Sequence, residues 1–230
     1  SGRGVVSTAN YKAREYGIRS ALPISIAWRL SQKAKKEGKS EAVFLLVNFE
    51  KYKKAKVLIS EIVRRFAEIV EEASIDEFYF DLSELGSFEK AKKICKENKK
   101  EIKIKESLTA SVGIGPNKLI AKLASDSQKP DGLTIIEENN IEEFLSKMSM
   151  RAIPGIGPKT EELLKKQGIN SMKDLKKITR DDLQEILGKW GLELYEKIRG
   201  RDDSPVSEEH KIKSIGAQET FQTDTFDFQL

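Results

Sequence analysis

The sequence predicts an α+β fold that ends in a small all-α module, and three observations on its 230 residues carry that prediction. Short apolar runs bounded by turn residues read as strands at 42–47, 78–80, 108–114 and 133–136. Between them, apolar residues recur at three- and four-residue steps, the stripe of amphipathic helices. After about residue 148 the strand signal stops, and residues 153–200 read as short helices broken by glycine.

The elements follow in chain order. A helical pattern through Ala9-Asn10-Tyr11 stops at Gly17, and a second helix starts at Pro23 and runs through Ile26 and Leu30. Residues 33–41 are a charged connector, and 42–47 is a continuous apolar run expected to be a buried strand. Tyr52, Ala55, Ile59, Ile62, Phe66 and Ile69 then form one helical stripe. Residues 69–73, a turn at Ser74-Ile75 and the aromatic run Phe78-Tyr79-Phe80 predict a β-hairpin. A lysine-rich helix is expected over 87–101, and the strand at 108–114 ends at Gly115-Pro116 before a helix from Asn117. Residues 201–213 are polar, contain Pro205 and read as a linker. Both ends, Ser1-Gly2-Arg3-Gly4 and Phe226-Asp227-Phe228-Gln229-Leu230, read as cuts in a longer chain.

Composition narrows the function classes. With 38% hydrophobic and 34% charged residues the chain is expected to be folded and soluble. No apolar run approaches the roughly 20 residues of a membrane helix, and no signal peptide opens the chain, so a cytoplasmic protein without a membrane partner is expected. The single cysteine, Cys95, excludes a disulfide framework. With one histidine as well, a Cys/His zinc site lacks ligands. Any metal should be held by carboxylates and carbonyls, which suits Mg²⁺ or Mn²⁺. A net charge of +4 agrees with a polyanionic partner without requiring one. Taken singly, the basic stretches 33–39, 51–56 and 90–105 read as solvated faces.

Four stretches carry candidate chemistry. In Ala73-Ser74-Ile75-Asp76-Glu77-Phe78-Tyr79-Phe80-Asp81, adjacent acids sit among apolar and aromatic residues. Burying them is costly without compensation; at a hairpin tip they could hold divalent cations for phosphoryl transfer, provided other acids complete the shell. On a helix, Tyr11 and Arg14 share a face, and a phenol beside a guanidinium suits phosphate oxygens. Lys129-Pro130-Asp131-Gly132 is a turn by composition, with Lys129 a phosphate ligand only in company. In Ile153-Pro154-Gly155-Ile156-Gly157-Pro158-Lys159-Thr160 the glycines permit a tight turn whose amides open a helix, an anion nest suited to backbone phosphate. A valine at Gly155 or Gly157 is expected to cripple DNA binding if the turn takes positive φ there.

Together these stretches resemble the Y-family DNA polymerases, most of all their DNA polymerase IV group. The run Ser74-Ile75-Asp76-Glu77 is similar to the family's second metal-binding motif, and residues 4–14 to its fingers motif. Residues 111–118 and 121–132 resemble the end of its palm, and the helix-hairpin-helix stands where its thumb stands. The resemblance implies fingers at 1–40, an incomplete ferredoxin-like palm at 41–148, a thumb at 149–200, a linker at 201–213 and the start of a little-finger domain at 214–230. It implies error-prone translesion synthesis, with two Mg²⁺ ions or Mn²⁺ as cofactor. Asp76 would ligand both ions and Glu77 the catalytic one. Ser74 would lie beside the primer end. Thr8, Tyr11, Arg14 and Lys129 would hold the triphosphate, and Val5 and Ser7 would roof the nascent base pair. Gly155, Gly157, Lys159 and Thr160 would lie near the DNA backbone. Primer–template DNA and deoxynucleoside triphosphates are the implied partners, with a sliding clamp and an N-terminal segment as further candidates, at the nucleoid of a prokaryotic cell.

The sequence also departs from the family. Relatives open with a strand that carries another metal-ligand Asp and an aromatic gate against ribonucleotides, and nothing in residues 1–230 matches either. Residues 33–40 are longer and more basic than in compact relatives, and Phe78 and Phe80 are bulkier than the residues common there. The 230 residues alone are therefore expected to lack a metal ligand. A non-catalytic DNA-binding module, working through the helix-hairpin-helix, is the alternative reading.

Overall fold

A computed structural model describes residues 3–208 and 214–217. The chain divides into two compact units, residues 1–50 with 211–230 and residues 51–210. The expected little-finger start at 214–230, with its terminal apolar alternation, lies outside the described residues apart from 214–217.

In the first unit, α1 (Tyr11–Glu15) begins where the sequence requires, because the Asn10 side chain accepts the Ala13 amide at 2.9 Å. Helix α2 (Ile24–Lys36) follows Pro23 and buries Ala27, Ser31 and Ala34. It absorbs residues 33–36 of the expected connector; three lysines do not stop a helix, and Lys33, Lys35 and Lys36 sit in its last turn, where the dipole favours cations. The Val6 amide donates to the Leu22 carbonyl and the Ala21 amide to that of Val6, both at 2.9 Å. These bonds fold residues 4–9 back over α2 around a small core of Val6, Ile18 and Ala27.

The expected strand at 42–47 does not form: residues 41–48 have no regular structure. Leu45 and Leu46 are 85% and 98% exposed. An apolar run becomes a strand only beside a partner that completes its hydrogen-bond ladder, and no described strand lies alongside this one.

All but the first two residues of α3 (Phe49–Val63) belong to the second unit, and the helix ends before the expected stripe members Phe66 and Ile69. Strands β1 (Val70–Glu72) and β2 (Phe78–Phe80) form the expected antiparallel hairpin, with Val70 opposite Phe80 and Glu71 opposite Tyr79. Helix α4 (Phe88–Glu106) runs five residues past its expected end. Strands β3 (Val112–Ile114) and β4 (Leu133–Ile135) pair in parallel around α5 (Lys118–Ser127), a βαβ unit. The two strand pairs are separate ladders among the described residues. Gly113 sets the helix–sheet distance: a Cβ there would stand 2.0 Å from the Ala121 carbonyl oxygen of α5.

Beyond β4 come α6 (Ile141–Ser146) and four short helices, α7 (Pro158–Lys166), α8 (Met172–Lys177), α9 (Arg180–Leu187) and α10 (Lys189–Lys197). One buried cluster runs from Leu119 and Ile120 of α5 to Leu194 and Ile198. The helical module thus shares its core with the βαβ unit across residue 149. The polar stretch 201–208 is irregular but held: Leu119 donates its amide to Asp202 at 3.0 Å, and Asn117 its side-chain amide to the Gly200 carbonyl at 2.8 Å.

Charged groups fasten α3 to the hairpin. Glu72 accepts from Lys56 at 2.8 Å and from the Ser60 hydroxyl at 2.6 Å. The Lys56 and Ser60 bonds hold its carboxyl down at about 2, against an ordinary 4.5. A depressed carboxylate stabilises the fold fully above its unfolded value, and the contribution disappears as pH falls through the folded value. Glu72→Gln should therefore cost about 1 kcal/mol at neutral pH, after solvent screening of a part-exposed group. Urea unfolding of both proteins should show that difference shrinking between pH 4.5 and pH 2.

Candidate active site

The hairpin tip carries the two adjacent acids. Asp76 is exposed, and its Oδ1 accepts the Ser74 hydroxyl at 2.8 Å; the Asp76 amide donates back to Ser74 Oγ at 3.3 Å. The Ser74 amide donates to the Glu77 carbonyl at 3.2 Å and closes the loop. Ser74 therefore shapes the tip in addition to any role toward a ligand. Glu77 stands at the entrance to β2, 41% exposed, and pairs with Lys122 of α5.

That pairing follows from a match of periods. Opposed residues in an antiparallel pair share a face, as do residues two apart in one strand. Glu77, Tyr79 and the opposed Glu71 thus project to one side of the hairpin. Helix α5 presents Lys118 and Lys122 one turn apart. Lys118 Nζ lies 2.7 and 2.6 Å from the two Glu71 oxygens and 5.0 Å from the Tyr79 ring centroid. One turn on, Lys122 reaches Glu77, and it also lies 3.6 Å from Asp126. Burial pulls the Lys122 ammonium toward deprotonation, but the Glu77 bond and the Asp126 charge outweigh it, and its pKa is raised.

Asp126 also binds Lys129 at 2.6 Å. The loop bearing Lys129 is anchored from α4: Lys99 Nζ donates to the Asp131 carbonyl and carboxylate, each at 2.8 Å, and to the Gly132 carbonyl at 2.9 Å. It also reaches the Ala110 carbonyl before β3. Sequence reasoning read α4 as a solvated lysine face, and only the loop 32 residues away gives Lys99 its part. Lys118, Lys122 and Asp126 at i, i+4 and i+8 were a visible signal, although their hairpin partners were not.

Val5, Ser7, Thr8, Tyr11 and Arg14 belong to the first unit and are exposed. Tyr11 and Arg14 do share a face, with the guanidinium carbon 5.1 Å from the ring centroid, and Arg14 Nε donates to the Ala9 carbonyl at 2.9 Å. Asp76, Glu77, Ser74 and Lys129 belong to the second unit.

A metal would find two hard carboxylates on adjacent residues at the tip, a donor set that suits Mg²⁺ or Mn²⁺. Among the described residues no group of three or more acids, histidines or cysteines is placed to hold an ion. The donors present thus fit part of a shell. No helix among the described residues is long and apolar enough to cross a membrane.

The turn before α7 holds the stretch expected to meet the DNA backbone. Ile153 and Ile156 are buried and bonded across the turn, Ile156 N to Ile153 O at 3.0 Å, while Lys159 is exposed. Gly157 is the N-cap of α7, no side chain caps it, and Pro158 occupies the first turn. The first turn of α7 thus opens without a side-chain cap for its free amides. The two glycines differ, contrary to an equal need for positive φ. Gly155 has φ +100°, and a Cβ there would lie 2.5 Å from Trp190. Gly157 is extended, with φ −87° and nothing within 4 Å of an added Cβ.

Comparison with known proteins gives a consistent result. The model described as the impB/mucB/samB family matches residues 1–126, and that of the DNA polymerase-iota thumb domain matches residues 151–202. DNA polymerase IV 2 of Methanosarcina mazei is 43% identical over 228 residues, covering 99% of this chain and 60% of its own length. A solved Y-family DNA polymerase chimera containing Dbh aligns with TM-score 0.80 at 30% identity, covering 92% of this chain and 60% of that one. An insertion ternary complex of Dbh DNA polymerase aligns at 0.78 and 32% identity, covering 90% and 60%. The chain spans about 60% of the length of the curated relatives it matches.

The glycine contrast is open to measurement. Gly155→Val should destabilise by roughly 2–4 kcal/mol, a left-handed backbone cost added to overpacking against Trp190. Gly157→Ala should cost less than about 1 kcal/mol, a change of N-cap residue only. Urea unfolding of the two variants reads the difference directly.

Proposed function

We infer the function from the family: this chain belongs to the impB/mucB/samB family, the Y-family DNA polymerases, and has their fold. Members of this family generally depend on divalent metal ions. The reading proposed for the protein is template-directed DNA synthesis across damaged templates, a DNA-directed nucleotidyl transfer with low fidelity. The observation that carries it is the hairpin tip, where Glu77, the sequence neighbour of Asp76, pairs with Lys122 at one end of the Lys122–Asp126–Lys129 series of α5 and the loop after it.

The residue roles follow from the chemistry of each group. Asp76 and Glu77 would hold Mg²⁺, or Mn²⁺ in its place, which supplies charge stabilisation to the transferring phosphoryl group. Ser74, hydrogen-bonded to Asp76, would fix that carboxylate beside the primer end. Lys129 would exchange Asp126 for triphosphate oxygens, and Thr8, Tyr11 and Arg14 would supply further donors. Val5 is 60% exposed and, with Ser7, would cover the nascent base pair. Primer–template backbone would meet the amides of Gly157, Lys159 and Thr160 without regard to sequence, with Gly155 shaping the turn. Non-specific affinity of roughly 10⁻⁴–10⁻⁶ M is expected, falling steeply with salt. A sliding clamp and an N-terminal segment that completes the metal shell remain part of the proposal for the whole protein, acting on DNA in the cytoplasm at the nucleoid.

A second reading, a DNA-binding module without catalysis, is favoured by one observation: the described residues hold no three-ligand metal group. Primer extension with Mg²⁺ and deoxynucleotides separates the two. The polymerase reading expects extension that falls roughly 10²–10³-fold in Asp76→Asn and Glu77→Gln, the scale of losing one preorganised electrostatic group. Both variants should keep wild-type DNA affinity. DNA binding without extension by the parent protein would instead support the module.

A further inference from the structure

Glu77, Lys122, Asp126 and Lys129 form an unbroken series of alternating charges that joins the hairpin tip to the loop after α5. Lys122 touches Glu77 and lies 3.6 Å from Asp126, and Asp126 lies 2.6 Å from Lys129. Lys122 is 24% exposed and bound from both sides, whereas Asp126 and Lys129 are 44% and 38% exposed. Both ends of the series, Glu77 at 41% and Lys129 at 38%, are exposed enough to exchange partners, and Lys122 between them is the least exposed link.

We propose that Lys122 and Asp126 are positioning residues that couple metal binding at Glu77 to release of Lys129 for phosphate. The proposal rests on the reading of Glu77 as a metal ligand and Lys129 as a triphosphate ligand. Without a divalent cation, the Lys122 ammonium neutralises Glu77. With a divalent cation bound, the Glu77 carboxylate would no longer need the Lys122 ammonium, which would leave it. Lys122 then has one acidic partner left within reach, Asp126, on its own helix face. An Asp126 that accepts Lys122 more closely holds Lys129 less, and Lys129 turns to the nucleotide. Proton positions do not change; only ion-pair partners do. By linkage the same coupling runs backward, so phosphate on Lys129 strengthens metal binding.

The test measures Mn²⁺ affinity from the electron paramagnetic resonance of the free ion, on the purified chain. Lys122→Met removes the competing cation and should bind Mn²⁺ about two- to fivefold tighter, the scale of one part-exposed ion pair. Lys122→Arg should restore wild-type affinity. Asp126→Asn confines Lys122 to Glu77 and should weaken Mn²⁺ binding by a similar factor. It should also bind inorganic tripolyphosphate more tightly when no divalent ion is present. The decisive comparison is the double variant: the Asp126→Asn effect on Mn²⁺ should vanish in the Lys122→Met background. A simple change of net charge would leave it intact, and that result overturns the proposal. Glu77→Gln separates the two levels. If it weakens Mn²⁺ binding while the other variants add independently, the coupling fails and the metal reading stands. If it leaves Mn²⁺ binding unchanged, the metal reading fails and the coupling with it.

Discussion

The buried ion pair between Glu71 and Lys118 is the contact on which the second unit depends. Glu71 is 6% exposed, in the middle of β1, where an unpaired carboxylate would be unfavourable by several kcal/mol. Lys118 meets both of its oxygens, Ser207 adds its amide at 3.1 Å, and the Tyr79 ring covers the ammonium. The helix, the hairpin and the returning segment after α10 are thereby tied at one point. An apolar contact could slide; a lysine on a two-oxygen carboxylate fixes which turn of α5 faces which residue of β2.

That register creates the candidate site. Once Lys118 is opposite Glu71, Lys122 must fall opposite Glu77, because one helical turn nearly matches two strand residues. Gly113 permits the same helix to lie directly on β3, and Lys99 holds the loop that follows it. Glu77 and Lys129 are consequently two ends of one charged edge, not independent surface groups. The packing says why these side chains occupy it.

Much of this was legible in the sequence, and the reasons are local. The hairpin announced itself through β-prone aromatics flanking a short acidic turn, and the helix starts through Asn10 and Asn117, whose side chains cap their own third amides. What failed depended on distant partners. The apolar run at 42–47 has strand chemistry but no neighbouring ladder. Gly155 and Gly157 look equivalent in a motif, yet only the first meets Trp190, which arrives from α10. Lys99 and Lys122 sit among many lysines, and nothing near them in sequence separates a clamp from a solvated charge. The polar stretch after Gly200 carries linker composition, but the Asp202 carboxylate finds a donor on α5 and the Ser207 amide an acceptor on β1.

The central claim, that one ion pair sets the register of α5 on the hairpin, is tested most directly by a double-mutant cycle of Glu71→Gln and Lys118→Met followed by urea unfolding. Each single change should destabilise by about 3–5 kcal/mol, because it leaves the other charge buried and unpaired. The double change should be less harmful than the sum, with a coupling of at least about 1 kcal/mol. Effects that add to within about 0.5 kcal/mol would mean that the two groups act independently, and would contradict the account.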